Sequence, residues 1–262
     1  MFKIIIVILI TTFTLIVNVH AGSDGELVLK KNEPSEIKDC SETFNKASFA
    51  LNQGLDKIIF KPVASVYRKL PSPVKSGVNN SLNNLSNLIT VPNNLIQGDF
   101  VTAGVNSGRF VINTTIGILG LFDVAQHMGF PEYKKEDYGQ SLAVHGVGPG
   151  CYIVLPVLGP STARDTLASS LNFLGGDAWY NVTVRNDTQY FNDIDYYSSK
   201  VGAGVDFRAK NYDSIENLEK NSIDFYASVK SLYLQDRQQK ILNTNQIVET
   251  QDDSDWEEIE SN

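Results

Sequence analysis

An all-α fold is what the sequence predicts, on three observations. Apolar residues recur every three to four positions over residues 44–58, 74–88 and 215–233, which is the period of one helical face. Capping residues and prolines punctuate those runs where a helix should start or stop. The chain has 262 residues, 42% hydrophobic and 20% charged, enough for one large domain or two small ones with a buried core.

The N-terminus is read before any fold. Lys3 is followed by an uncharged run to Val17 and then by Val19-His20-Ala21, a small-residue cleavage pattern. As a helix the run would span about 21 Å, short of the ~30 Å of a bilayer core, so residues 1–21 read as a secretory signal peptide rather than an anchor. Cys40 follows Ile37-Lys38-Asp39, which is too polar for a lipoprotein box, so the mature chain is expected to start near Gly22 without a lipid. Residues 22–38 are polar and read as a linker, residues 39–243 as the domain and residues 244–262 as an acidic, disordered tail.

Asp39 with Glu42 resembles a capping pair that opens a first helix. Its apolar face would be Phe44, Ala47, Leu51, Leu55 and Ile58, and Pro62 would end or kink it. Ser72-Pro73 starts a second helix over residues 73–89, with Val74, Val78, Leu82, Leu85 and Leu88 on its apolar face, an Asn/Ser outer face and a break at Val91-Pro92. A third helical pattern begins after Asp99. Residues 110–122, between Arg109 and Asp123, carry no charge. Such a run is more often a core helix, or a re-entrant or interfacial segment, than a membrane span, and Gly117 and Gly120 would let it turn back on itself.

Residues 138–163 form a longer uncharged stretch, broken by Gly146, Gly148, Gly150 and Gly159 and by Pro149, Pro156 and Pro160. It is either a buried irregular crossing or a segment packed on something apolar. Residues 173–197 are rich in Asn, Asp and aromatics and show no clean period. From Ser214 the helical pattern returns, and it fades by Leu242.

Charge and side-chain inventory exclude several chemistries. Lys+Arg is 22 against Asp+Glu 30, the opposite of what a sequence-independent nucleic-acid binder needs. Glu249, Asp252, Asp253, Asp255, Glu257, Glu258 and Glu260 place most of the excess in the tail and leave the body nearly neutral. Gly139-Gln140-Ser141-Leu142-Ala143 is one residue from a nucleophile elbow, yet the glycines after His145 forbid the helix an elbow needs. Gly146-x-Gly148-x-Gly150 lacks the Gly-Lys-Ser/Thr of a phosphate loop. His127 and His145 have no metal-ligand spacing with Asp123 or Asp137. Cys40 and Cys151 either pair in an oxidising compartment or stay free; spacing does not decide. Arg68, Arg109, Arg164 and Arg208 read as capping and ion-pairing residues, with lipid-headgroup contact as the functional alternative.

Several ordered stretches carry a resemblance. They are Phe44-Asn45-Lys46, Leu55-Asp56, Lys61-Pro62-Val63-Ala64, Tyr67-Arg68, Val91-Pro92-Asn93, Gln97-Gly98, Arg109-Phe110, Ile112-Asn113-Thr114 and Phe122-Asp123-Val124-Ala125. The densest run is Asp137-Tyr138-Gly139-Gln140-Ser141-Leu142, Gly146-Val147-Gly148-Pro149-Gly150, Tyr152, Leu155-Pro156, Leu158-Gly159-Pro160-Ser161 and Arg164-Asp165, with Asp224-Phe225-Tyr226 and Tyr233-Leu234-Gln235-Asp236-Arg237 near the end. From Phe44 to Arg237 the chain resembles the MlaA (VacJ) family of outer-membrane phospholipid-transport proteins.

That resemblance implies a ring-shaped helical domain with an amphipathic central channel and little or no sheet, lying at the periplasmic face of the outer membrane. It implies a lipid channel or hairpin built from Asn113, Ile116, Gly117, Leu119, Gly120, Phe122 and Asp123, with Gly117 and Gly120 as flexible points. A channel-adjacent turn would hold Gly146, Gly148, Gly150 and Tyr152, while Arg109 and Arg164 are the candidate headgroup contacts. The implied activity is removal of mislocalised phospholipid from the outer leaflet and delivery to a soluble periplasmic lipid carrier. An outer-membrane porin is the implied partner, and no cofactor, metal or covalent chemistry is needed. The chain departs from the family in lacking a lipidated Cys after the leader, in Lys46 for Arg and in Cys151 for Pro. The competing reading is a soluble periplasmic interaction module without a lipid channel.

Overall fold

The computed structural model describes residues 37–171, 177, 180–181 and 192–242. The stretches read from the sequence as a signal peptide and an acidic tail, and most of the one read as a linker, lie outside the described residues. The chain is mostly helical: α1 (Glu42–Leu55), α2 (Lys61–Arg68), α3 (Ser72–Ile96), α4 (Phe100–Thr115), α5 (Val124–His127), α6 (Tyr138–Val144), α7 (Ala163–Leu171), α8 (Asp193–Lys210), α9 (Tyr212–Asn221) and α10 (Phe225–Leu242). Strands β1 (Tyr152–Leu155) and β2 (Gly159–Thr162) form one antiparallel pair, with Tyr152 opposite Thr162 and Leu155 opposite Gly159.

Local chemistry corrects several boundaries. Ser41, not Asp39, caps α1 by accepting the Phe44 N–H, while Asp39 turns away to pair with Lys230. The chain passes through Pro62 in helical geometry, because a π-helical turn over Asp56–Phe60 takes up the register and Pro62 sits in the first turn of α2, where its missing N–H costs little. Pro92 does not break the second helix, which runs on to Ile96. Pro92 cannot serve the Leu88 carbonyl, and the next side chain, Asn93, donates to the Ile89 carbonyl at 2.8 Å. The C-terminal pattern is two helices, since Asp224 accepts the Ala227 N–H and restarts the turn after Asn221. α8, inside a stretch whose sequence period is unclear, begins at an Asn192–Asp195 capping box.

The larger correction concerns which helix faces are inside. In α1 the buried residues are Asn45 and Ser48, while Phe44 and Leu51, and Ile58 in the π-helical turn that follows, are exposed. In α3 the Asn/Ser face expected outside is the buried one: Gly77, Asn84, Asn87, Thr90, Asn93 and Asn94. In α4 it is Ala103, Asn106, Arg109 and Asn113, with Phe100, Val101 and Val111 exposed. The period of the sequence is the helical one, but the most buried positions are polar, while the apolar residues are half-buried, as Val78, Leu82, Leu85 and Leu88 are in α3, or exposed. α3 and α4 pack as an antiparallel pair, tied by Asn106 to Asn94 at 2.9 Å and Asn84 to Thr114 at 2.8 Å.

An apolar core gathers around the strands instead. Tyr152, Val154 and Leu234 are buried together, with Ile37, Phe49, Tyr226 and Tyr233 against them. Asn45 of α1 works as a substitute strand edge, donating to the Tyr152 carbonyl and accepting the Val154 N–H, both at 2.9 Å. Asn45→Ala would leave the buried Val154 N–H without an acceptor, and a loss of about 1–3 kcal/mol in chemical denaturation is expected; an unchanged midpoint would remove Asn45 from the framework. Residues 38–40 run along the same edge of β1 as Asn45, the edge that β2 leaves free, with Cys40 N–H to the Tyr152 carbonyl and Tyr152 N–H to the Lys38 carbonyl, both 2.8 Å. There Cys40 and Cys151 form a disulfide, which resolves the pairing the sequence left open. Thiol labelling of the unreduced, denatured protein should give no adduct; one labelled cysteine per chain would contradict it.

Candidate functional site

The uncharged run after Arg109 does turn back. α4 ends at Thr115 and residues 116–122 fold over its C-terminus, with the Gly120 N–H on the Asn113 carbonyl at 2.8 Å and the Phe122 N–H on the Gly117 carbonyl at 2.9 Å. Ile118 and Leu119 take φ of 53° and 56°, and Gly120 86°. A β-branched residue at positive φ is an outlier that the surroundings must hold in place.

What holds it is a buried polar latch. Arg109, 3% exposed, donates to the Pro131 carbonyl at 2.7 Å and to Asp123 Oδ2 at 2.6 Å. Asn113 donates to Asp123 Oδ1 and accepts the Ala125 N–H, both at 2.9 Å. Asp123 also caps α5 by accepting the Gln126 N–H. The two ends of the hairpin are therefore closed by Arg109, Asn113 and Asp123, while its tip is apolar and outward: Ile116 is 63%, Leu119 64% and Phe122 60% exposed.

Gly117 and Gly120 are close-approach positions rather than flexible points. A Cβ on Gly117 would lie 2.3 Å from the Phe122 carbonyl oxygen and 2.5 Å from that of Asn113. One on Gly120 would lie 2.5 Å from Asn84 Cβ. The sequence reading missed this floor beneath the hairpin, formed by Gly77 against Leu121, Asn80 donating to the Leu121 carbonyl at 3.3 Å, and Asn84. The signal was there in the spacing of Gly77, Asn80 and Asn84 on one helical face, which was assigned to the outside.

The second set of candidates lies elsewhere. Gly146 and Gly150 have φ of 84° and 68°, and Gly148 has open space around its Cα. The turn bonds back to α6 through the Gly146 and Val147 N–H groups on the Ala143 and Leu142 carbonyls, and forward to α7, where the Val147 carbonyl accepts from the Arg164 guanidinium at 3.4 Å and the Pro149 carbonyl accepts the Arg164 N–H at 3.2 Å. Tyr152 is fully buried in the apolar core. Arg164 bonds Asp165 at 2.9 Å and is 4% exposed, so its guanidinium, like that of Arg109, is committed to protein partners. Arg68 pairs with Asp213, and Arg208 with Asp56 and Glu216.

Ser141 sits within α6, where its hydroxyl donates to Asn93 Oδ1 at 2.6 Å, and His145 Nδ1 meets the Ser141 main-chain oxygen rather than its hydroxyl. The pair is structural, with no nucleophile–base contact. Among the described residues no three His, Cys, Asp or Glu side chains gather as a metal site. No helix among them is long and apolar enough to cross a membrane. Large apolar side chains nonetheless face out on several elements, among them Ile58, Val66, Val101, Val157, Leu158 and Ile194, a surface that water alone does not favour.

Comparison with known proteins fits this inverted pattern into a family. The model of the MlaA lipoprotein family matches residues 37–240. A Haemophilus influenzae protein, "Intermembrane phospholipid transport system lipoprotein MlaA", is 30% identical over 83% of this chain and 84% of its own. An uncharacterized Rickettsia bellii protein is 33% identical over 79% of this chain and 78% of its own. A solved chain from work described as "Structural basis for maintenance of bacterial outer membrane lipid asymmetry" superposes with a TM-score of 0.64 at 30% identity, covering 78% of this chain and 99% of that one.

Proposed function

The chain belongs to the MlaA lipoprotein family, and on that premise we propose that it draws mislocalised phospholipid from the outer leaflet of the outer membrane and passes it to a soluble periplasmic carrier, maintaining the asymmetry of that membrane. The observation that carries this reading is the inversion of polarity, with amides buried along α3 and α4 and large apolar side chains facing out. A lipid demands that arrangement from a carrier in a bilayer: acyl chains stay in an apolar phase while the headgroup needs a polar route. We read the interior amides as the wall of a central channel in a ring-shaped domain, and the hairpin holding Ile116, Gly117, Leu119 and Gly120 as the element beside its mouth. Transport of this kind moves the lipid without breaking or making a bond.

The exposed apolar surface would also supply the membrane attachment, since both cysteines are engaged with each other and neither offers a thiol for a lipid. The disulfide supports export to an oxidising compartment, and with it the reading of residues 1–21 as a cleaved leader. A porin is the partner we assign to part of that surface. The test is lipid extraction from the mature protein, purified from membranes in mild detergent, followed by mass spectrometry. About one phospholipid per chain is expected. Recovery in the soluble periplasmic fraction without lipid would overturn the reading and leave an interaction module. Removing residues 249–262, a tail beyond the family match, is expected to leave the bound lipid unchanged; a loss of half or more would make the tail part of the lipid path.

A further inference from the structure

The polar interior is short of positive charge at one place, Glu136. This residue is 5% exposed, in the extended segment between α5 and α6. Gln97 and Gln140 donate to it at 2.9 and 2.6 Å, and both bonds fall on Oε2; among the described residues Oε1 takes none. Its main-chain N–H is held by Thr90 of α3 at 3.2 Å. Every other buried carboxylate among the described residues has a cation beside it: Asp165 has Arg164 and Arg237, Asp177 has Lys200, and Asp206 has Lys210, all within 3.2 Å. Glu136 has only amides within hydrogen-bond reach, and the nearby Arg237 acts on it through space without bonding it.

The neighbouring interior leans the same way. Asn84 Oδ1 and Asn87 Oδ1, about two turns and one turn before Thr90 on the same face of α3, are buried acceptors with no donor. The buried guanidinium groups that could balance them are already engaged, Arg109 by Asp123 and Arg164 and Arg237 by Asp165. A wall rich in acceptors and holding one unneutralised carboxylate favours a ligand group that brings donors and positive charge together. A primary ammonium has three N–H donors and no acceptor.

We infer that Glu136 receives the ammonium of an amine-bearing phospholipid headgroup, so that the protein selects ethanolamine- or serine-type lipids over those lacking an amine. This rests on the lipid-transport reading and adds a headgroup preference to it. Burial raises the Glu136 carboxyl, and the Gln97 bond only partly offsets that; an ammonium on Oε1 would bring the ionised form back. A phosphate there would meet a carboxylate and amide oxygens, so the wall discriminates by charge and not by size.

The experiment loads detergent-purified protein from mixed micelles containing equal amounts of phosphatidylethanolamine, phosphatidylglycerol and N-acetylated phosphatidylethanolamine, and counts bound lipid by mass spectrometry. The wild type is expected to retain phosphatidylethanolamine about tenfold over both others, the difference one charge-assisted hydrogen bond makes. Glu136→Gln should lose that preference while keeping the total. The N-acetylated lipid keeps the phosphate and exchanges the ammonium for a slightly larger neutral amide, and phosphatidylglycerol lacks the amine without that added bulk, so the wild type alone tests the inference even if the variant folds poorly. Equal retention of all three lipids by the wild type overturns the headgroup assignment and leaves transport standing. So does an undiminished preference in a folded Glu136→Gln protein. No lipid bound at all overturns the transport reading itself.

Discussion

Gly117→Val is expected to dislodge the 116–123 hairpin and to take lipid binding with it. The new Cβ would sit 2.3 Å from the Phe122 carbonyl oxygen and 2.9 Å from Asn113 Cα. Both are main chain, so no side-chain rotation relieves them. The Phe122 N–H bond to the Gly117 carbonyl and the Gly120 N–H bond to the Asn113 carbonyl must open, which uncouples Asn113 from Asp123 and Ala125. Overpacking costs about 1–3 kcal/mol even where side chains can adjust, and main-chain overlap belongs at or above the top of that range. A fall in Tm of about 5–10 °C is expected at ~2–4 °C per kcal/mol for a chain of this size, with bound lipid reduced at least fivefold. Gly120→Ala combines a left-handed φ with a 2.5 Å approach to Asn84 Cβ, an atom the α3 main chain fixes in place, and should be destabilising as well. A Gly117→Val protein with parental Tm and parental lipid would mean that the hairpin is not held as described.

These positions also mark where sequence reasoning reached and where it stopped. The helices were legible because a 3.6-residue period survives whichever side faces out. The side itself was not legible. Placing Asn84 and Asn87 outside presumes water around the molecule, and the exposed Phe100, Val101 and Ile116 belong to a surface for which that presumption fails. The turn at Gly117 and Gly120 was readable from an uncharged run too short to span a bilayer. Its latch was half readable: Arg109 and Asp123 bracket the run in sequence, but that they bond each other at 2.6 Å is a fact of the fold. Pro62 and Pro92 stop helices in isolation; here a π-helical turn precedes Pro62, and α3 continues through Pro92 to Ile96. The Cys40–Cys151 pair closes across a sequence separation of 111 and left no local trace.

The same blindness to distance hides the strongest electrostatic element, and its removal is the second large effect expected. Arg237, on α10, donates to Asp137 at 2.6 Å from both Nη1 and Nη2 and to Asp165 at 3.0 Å from both Nε and Nη2. Tyr233 adds its hydroxyl to Asp165 at 2.8 Å, and Arg164 bonds Asp165 from the other side. One guanidinium thus fastens the C-terminal helix to the N-cap of α6 and to α7. Gly139 leaves the room for it, since a Cβ there would lie 2.4 Å from Arg237 Nη2 and 2.3 Å from Asp165 Oδ1. Arg237→Ala leaves the buried Asp165 with Arg164 alone and the half-exposed Asp137 without its arginine, a loss of about 3 kcal/mol, at the lower end for buried pairs broken on one side because Asp137 regains water, or roughly 5–10 °C in Tm. Arg237→Lys keeps the charge but not the fork, and should fall between.

The pH dependence separates this from a mere packing loss. Burial pushes the carboxyls of Asp137 and Asp165 up, and the arginines more than reverse it, so both stand below the ordinary carboxylate range. A carboxylate lowered on folding contributes stability that is fully present above its unfolded value near 4 and is lost as pH falls through the folded one. The wild type should therefore lose stability steeply below about pH 4. In Arg237→Ala the burial is no longer opposed as strongly, both carboxyls rise, and protonation becomes a relief rather than a cost. The gap in Tm between the two proteins should be widest from pH 5 to 7 and narrow toward pH 3, on the order of half its neutral value. A gap that holds constant from pH 7 to pH 3 would mean that Arg237 acts through shape alone, and the ionic account of how α10 is fastened would have to be abandoned.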